Sequence, residues 1–324
     1  MSRFQWVRAA SWAQASELVK SPGSLAKGGG VDLWDRLKEG LEDPDRVISL
    51  LEIPSGRTIE LLPDGSATIG ALATIAEIAG HDGLRKAFPA LVEACDELAT
   101  PAIRNAATLA GNLCQRPRCW YFRSELHPCL RKGGGGCFAI PGDHRMHAVF
   151  DNSVCAAVAA PSTATPLVAL RAEAVVRAGA DATRIVPIES LFVPSSRDPR
   201  REVALSPGEL VEQIRIPAAK GRSAYVKLQH RETFDWPIVE VSVALSIAAG
   251  KISDVRIVLG SVAMTPIRAA RAESLLEGAA PGSSAFASAS RAATAGATPL
   301  PRNEYKIPIV ESLVREALSK AAGV

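Results

Sequence analysis

Between Leu113 and Phe150 no regular element fits. Pro117, Pro128 and Pro141, with four consecutive glycines from Gly133 to Gly136, interrupt helical and strand periodicity alike. An irregular stretch of about 35 residues inside a globular chain is either functional or disordered. Trp120, Tyr121, Phe122 and the local cysteines argue for order, and five of the six cysteines of the chain fall between Cys114 and Cys155. Something other than a sheet or a bundle must hold this segment, and the remaining chain must fold around it.

At 324 residues the chain has room for about two domains. Apolar residues make up 47% and charged residues 22%, which is globular composition. Lys plus Arg (37) against Asp plus Glu (34) leaves +3, too little to make the whole surface a nucleic-acid or membrane partner. Met1 to Ala15 has no uninterrupted apolar core or small-residue cleavage site, and no run reaches about 18 apolar residues. The expectation is a cytoplasmic protein without a signal peptide or membrane span, in which clustered cysteines serve metal binding or packing rather than disulfides.

The first third reads as mixed α/β. A helix is expected over Ser11 to Val19, then a strand over Ser24 to Lys27 leading through Gly28-Gly29-Gly30 into a helix over Asp32 to Lys38. Short strands follow at Val47 to Leu51, Thr58 to Leu62 and Ser66 to Ile69, then helices at Ile75 to Ala79 and Leu84 to Leu98. After the irregular segment come a helix start at Thr165 to Leu170 and strands at Ala174 to Ala178, Ile185 to Pro187 and Leu210 to Pro217. Ala218 to Arg222 reads as a linker. Beyond it, Ala224 to Gln229, Val239 to Ile247 and Ile252 to Gly260 alternate like antiparallel strands, and Pro266 to Gly278, Ser283 to Thr294 and Ile307 to Ala322 carry helical spacing. The fold class is α+β, with domains at 1–219 and 220–324 and an insertion at 114–155.

Gly28-Gly29-Gly30-Val31-Asp32-Leu33 follows a strand and opens a helix, the order of a phosphate cradle, although it is neither G-x-G-x-x-G nor a Walker A sequence. Alone it reads equally as a tight turn. Ala107 to Leu113 is a second small-residue stretch ending in Gly111-Asn112, a pair suited to a positive-φ turn. Together the two suggest an extended nucleotide lying over the fold. Cys119, Cys129, Cys137 and Cys155 have nine, seven and seventeen residues between them, a spacing that fits neither zinc-finger pairs nor the bacterial ferredoxin run. An iron-sulfur cluster, structural zinc and unligated thiols all remain open on spacing alone. Arg116, Arg118, Arg123, Arg131, Lys132 and Arg145 surround these cysteines, and positive charge stabilises thiolates and anionic clusters. The same charges would also serve as a solvated docking face. Cys95 is expected to be a packed thiol and Cys114 an alternative ligand; His127, His144 and His147 are expected at the surface or hydrogen-bonded. No nucleophile triad, H-E-x-x-H or carboxylate pair is present, so hydrolytic chemistry has no support and no catalytic acid or base is assigned.

Gly28 to Leu33, Arg104-Asn105-Ala106-Ala107-Thr108-Leu109-Ala110-Gly111-Asn112-Leu113 and Pro161-Ser162 resemble the flavin-binding subunits of the molybdenum hydroxylases, the xanthine dehydrogenase and aldehyde oxidoreductase family. Gln115 to Phe122 resembles the branch whose flavoprotein carries an inserted [4Fe-4S] loop. The resemblance covers essentially the whole chain and implies a two-subdomain FAD-binding fold followed by a C-terminal α+β domain of the carbon monoxide dehydrogenase flavoprotein type. It implies FAD held by Lys27, Gly28, Gly29, Gly30, Val31, Asp32 and Leu33 at the pyrophosphate, by Thr108, Gly111 and Asn112, by Ser162, and by Lys227 and Asp235 from the C-terminal domain. It further implies a [4Fe-4S] cluster on Cys119, Cys129, Cys137 and Cys155. Val31 and Thr163 depart from the family pattern, where Thr and Asp are common, and Cys114 replaces a hydrophobic residue.

The partners so implied are a large molybdenum-cofactor subunit, a small [2Fe-2S] subunit and an external electron acceptor. Co-export with a signal-bearing partner would place the assembly in the periplasm. The rival functions are a self-sufficient flavin oxidase or reductase and a zinc-structured scaffold. The purified chain is expected to leave an aldehyde unoxidised without its partners; turnover by the isolated chain, assayed with an artificial electron acceptor, would favour the self-sufficient oxidase.

Overall fold

The computed structural model describes residues 3–232 and 234–324. The chain opens with β1 (Gln5–Arg8), α1 (Trp12–Val19), β2 (Ser24–Lys27), α2 (Val31–Lys38) and β3 (Arg46–Ser49). These strands form a parallel sheet in the order β1-β3-β2, so the glycines after β2 leave the carboxyl end of an edge strand. That end is where open α/β sheets leave a crevice. Ser11 caps α1 by accepting from Gln14 N–H.

Next come β4 (Ile59–Leu61), β5 (Ala67–Gly70), α3 (Ile75–Ala79), α4 (Asp82–Ala87), α5 (Pro89–Asp96), α6 (Pro101–Ala106) and α7 (Leu109–Leu113). The single helix expected over Leu84 to Leu98 is two helices. Pro89 excludes the helical conformation at the residue before it, and Phe88 adopts φ −135°, ψ 60°. A full capping box starts α3, with Thr74 and Glu77 satisfying each other's backbone N–H. The Gly111-Asn112 turn is likewise corrected: both residues lie inside α7, whose cap Thr108 accepts from Gly111 N–H at 3.3 Å.

After the irregular segment, whose one regular piece is a 3₁₀ turn at Leu130–Lys132, come α8 (Ala164–Ala169), β6 (Glu173–Ala178), β7 (Thr183–Pro187), α9 (Ile188–Leu191) and β8 (Glu209–Ile216). They complete a five-stranded antiparallel sheet in the order β4-β5-β8-β6-β7. The last third contains β9 (Arg222–Gln229), β10 (Pro237–Ala248), β11 (Lys251–Gly260), β12 (Ile267–Arg268), α10 (Ala270–Leu276), α11 (Ser283–Ala293) and α12 (Lys306–Ala322). Its four strands are antiparallel, and the helical spacing expected from Pro266 yields a short edge strand before α10.

Two apolar cores result. One gathers Ile48, Ile69, Leu72, Phe88 and Ile214 under the first two sheets, and the other gathers Val241, Ile257, Phe286, Val310 and Leu318 between the last sheet and its helices. Val149 and Phe150, at the end of the irregular segment, join the second core. The halves meet where α5 and α8 press on β9 and β10. There Tyr225 N–H donates to Glu93 at 2.8 Å, and the Tyr225 hydroxyl donates to the fully buried Glu240 at 2.6 Å. Thr165 from α8 donates to the same carboxyl at 3.1 Å. Burial raises the pKa of Glu240, and its hydroxyl donors only partly offset this. Tyr225→Phe is expected to cost about 1–3 kcal/mol by removing the closest donor from a buried acceptor, seen as a lowered Tm with unchanged secondary structure.

Candidate functional site

The two small-residue stretches touch each other. A Cβ at Gly29 would lie 1.8 Å from the carbonyl oxygen of Ala106, and one at Gly28 would lie 2.7 Å from Thr108 Oγ1. Gly30 takes φ +84° as the cap residue of α2 and offers no side-chain cap. The first N–H groups of α2 are therefore left for a ligand to satisfy.

Around this contact lies an open cleft with ≈ 1070 Å³ of atom-free space, part of it solvent. Lys27 through Leu33, Thr108, Gly111 and Asn112 all line it. Lys27 is buried and its ammonium forms no ion pair or hydrogen bond among the described residues; it lies 5.4 Å from the ring centre of Trp6 and 6.0 Å from that of Trp34. Burial lowers its pKa. Asn112 is held by the buried Thr163, whose hydroxyl donates to its side-chain oxygen at 2.7 Å.

Asp32 faces the same cleft but is already engaged. It pairs with Arg123 at 2.6 Å, with Arg118 and Arg36 at 3.1 Å each, and accepts the Arg116 backbone N–H at 3.2 Å. Burial alone would raise its carboxyl, but Arg36, Arg118 and Arg123 outweigh burial and hold it below its ordinary value. Three of these four partners belong to the irregular segment, so Asp32 fastens that segment to the cradle.

A second cavity adjoins the first. Arg118 and Trp236 line both, and Trp120, Met146, His147, Ala159 and Asp235 complete its wall. The Arg118 guanidinium stacks 4.9 Å from the Trp236 ring centre. Cys119 lines this second cavity and also a third, smaller hollow, with ≈ 270 Å³ of atom-free space that includes open solvent, which it shares with Cys129, Cys137 and Cys155. The four spaced cysteines are thus brought together, whereas Cys114 lies on the wall of the first cleft and Cys95 is packed in the core. Among the described residues no three His, Cys, Asp or Glu side chains converge on a point where one ion could sit. The Cys155 thiol donates to Cys137, which is the main cause of a lowered Cys137 pKa, and burial pushes Cys119 up to about 11.

Ser162, Lys227 and Asp235 do not reach the cleft. Ser162 is buried beside Glu240 and Tyr225, Lys227 donates to the Glu97 carbonyl at 2.5 Å, and Asp235 bonds Arg231 at 3.2 Å. The docking-face reading of the basic residues is corrected for two of them. Arg131 is buried against Glu202 with its guanidinium 4.0 Å from Cys155 Sγ, and Arg118 is committed to Asp32 and Trp236. His144 and His147 take the hydrogen-bonded form of the two expected: both are buried, His144 Nδ1 lies 3.1 Å from the Ala139 carbonyl and its Nε2 accepts from Arg302 N–H, and His147 Nε2 lies 3.2 Å from Cys119 Sγ. Sequence reasoning gives no role to Trp236, Ile103 or Trp34.

An open glycine cradle beside a buried lysine whose ammonium has no partner among the described residues is the arrangement of a dinucleotide-binding protein. Residues 2–219 match the family described as the FAD binding domain in molybdopterin dehydrogenase, and residues 223–321 match the CO dehydrogenase flavoprotein C-terminal domain. The chain belongs to this family of FAD-binding oxidoreductase subunits. It is 30% identical, over 99% of both chains, to the aldehyde oxidoreductase FAD-binding subunit of Escherichia coli (strain K12). It is 27% identical to the carbon monoxide dehydrogenase medium chain of Hydrogenophaga pseudoflava, over 98% of this chain and 97% of that one. In fold it is similar to a chain of that organism's carbon monoxide dehydrogenase, with a TM-score of 0.78, 24% identity and coverage of 99% and 98%. A chain of quinoline 2-oxidoreductase from Pseudomonas putida 86 gives 0.77 at 20% identity with the same coverage. Among the described residues no helix is long and apolar enough to cross a membrane.

Asp32→Asn is expected to cost on the order of 3 kcal/mol and to loosen the irregular segment, read as faster proteolysis between Arg116 and Arg131. Because the Asp32 carboxyl lies below its ordinary 3.8, its contribution is complete above that pH and is lost as pH falls through the folded value. The stabilities of variant and parent should therefore converge in acid.

Proposed function

We propose that this chain is the electron-exit subunit of a molybdenum-containing hydroxylase or aldehyde oxidoreductase, carrying FAD in the glycine cleft and a [4Fe-4S] cluster on Cys119, Cys129, Cys137 and Cys155. The observation that carries the reading is the row of three adjoining cavities, joined through Arg118 and Trp236 at one boundary and Cys119 at the other. The division proposed is a FAD-binding domain at 1–219, with an iron-sulfur insertion at 114–155, and a C-terminal domain at 220–324.

The residues present fit both groups. The missing Cβ atoms of Gly28 and Gly29 let the cradle close on Thr108 and Ala106, Lys27 supplies a cation with no partner among the described residues, and the open first turn of α2 supplies N–H donors. Ser162 from the FAD-binding domain, and Lys227 and Asp235 from the C-terminal domain, would act on the flavin side, Asp235 through the middle cavity it already lines. Four thiols around one hollow, with no convergence on a single-ion point, suit a multi-iron cubane better than one zinc. A bound flavin takes electrons singly or in pairs and so couples one-electron centres to a two-electron acceptor. Arg131, buried beside Cys155, offsets negative charge at the thiols, and Arg118 does so between the cavities. The partners proposed are a large subunit holding the molybdenum site and a small [2Fe-2S] subunit, with the aldehyde oxidoreductase subunit of Escherichia coli (strain K12) as the guide to substrate class.

Iron and flavin analysis of the purified chain tests this. Cys129→Ser is expected to lose about four irons and keep FAD, whereas Lys27→Met should lower flavin content and keep iron. Native protein with stoichiometric zinc and no iron would decide for a structural metal. Gly29→Val is a poorer probe of the cradle, because its side chain strikes Ala106 before any ligand.

A further inference from the structure

One group in the middle cavity has no role in the reading above. His147 is buried, its Nε2 lies 3.2 Å from Cys119 Sγ, and its ring stands edge-on to Trp120 at 4.9 Å. It lines the cavity between the glycine cleft and the thiols. Its Nδ1 is buried with no hydrogen-bond partner. A neutral imidazole has one N–H, and among the described residues the Cys119 sulfur is the hydrogen-bond partner the ring has. Placing the proton on Nε2 leaves only a bare lone pair buried at Nδ1; the other tautomer would strand a buried N–H.

The ring is mounted from outside its own segment. Asn303, ahead of α12, donates to the carbonyls of His147 at 3.2 Å and Ala148 at 3.0 Å. Lys306 is fully buried and donates to Met146 O at 3.1 Å and Ser261 O at 3.0 Å. His144, also in this turn, accepts the Arg302 N–H at 3.1 Å. The C-terminal domain thus fixes the turn that carries His147, near the far end of the insertion whose beginning carries Cys119.

We propose that His147 is a positioning residue that donates its Nε2–H to the sulfur of Cys119 and so raises the reduction potential of the cluster bound there. The inference rests on the cluster reading of the four cysteines. Reduction adds one electron to the cluster with no bond made or broken. The added negative charge falls partly on the ligand sulfurs, so an N–H aimed at one of them stabilises the reduced form more than the oxidised form. Hydrogen bonds to the sulfurs are one of the means by which a protein sets such potentials.

The test is redox titration of the purified flavoprotein followed by electron paramagnetic resonance, with iron and flavin assayed in parallel. In His147→Phe the reduction equilibrium should fall about tenfold, a midpoint lower by about 59 mV, with iron and flavin unchanged. His147→Gln, which keeps an N–H at a similar reach, should stay close to the parent. A parent without iron would overturn the cluster reading and this inference with it. A parent with iron whose midpoint is unmoved in His147→Phe would overturn the inference alone. If the phenylalanine variant loses iron, His147→Gln is compared with His147→Leu. A glutamine midpoint as low as that of leucine, or iron retained only by glutamine, rejects tuning.

Discussion

One carboxylate joins the two halves of the site. Asp32 stands in the first turn of α2, where a phosphate cradle would be expected to avoid negative charge, yet Arg36, Arg118, Arg123 and the Arg116 backbone N–H converge on it. Burial works against such a charge, and it persists because several charge-assisted hydrogen bonds replace the water it lost. The consequence is geometric. The segment that carries Cys119 starts from a point fixed relative to Gly28 to Gly30, which sets the distance from the cradle to the thiols. Glu39, Glu42 and Glu202 extend the network by pairing with Arg123, Arg116 and Arg131.

Much of this was legible in the sequence, and what was not has definite causes. The order of strand, glycines and helix placed the cradle because that order depends on neighbouring residues alone. The four cysteines could be set apart from Cys95, which occupies an apolar helical position. Cys114 could not be set apart, because its separation depends on which way the chain leaves α7, and that is decided by packing. Gly111-Asn112 misled for a related reason. The pair suits a turn in isolation, but Thr108 caps the segment and Ala71 and Ala73 accept the N–H groups of Ala110 and Leu109, drawing it into a helix. The break at Phe88 was readable from Pro89 and was overridden by the apolar periodicity on either side.

The basic composition of the insertion illustrates a limit of charge counting. Counted along the sequence it is a positive stretch, whereas in space most of its guanidinium groups meet acids from outside it. Of the positive groups around the thiols, Lys132 and Lys306 have no carboxylate partner among the described residues. Lys132 donates to the Ser124 and Tyr121 carbonyls, and Lys306 to those of Met146 and Ser261. Burial lowers the Lys306 pKa to about 7, so its positive charge is only partly present near neutral pH.

The buried lysine and the paired arginines point to a division of labour between the domains. The FAD-binding half fixes the start of the insertion through Asp32, and the C-terminal half fixes its end through Asn303, Lys306 and the packing of Val149 and Phe150. An irregular segment tied at both ends loses most of its freedom without needing secondary structure of its own. The cysteines between those ties can then hold a centre in one place relative to the glycine cleft. The tie at the far end is made by groups buried in the C-terminal core. A disturbance of α12 would therefore reach Cys119 through the 144–148 turn before it reached the cradle, although α12 contributes no side chain to either the cradle or the thiol hollow.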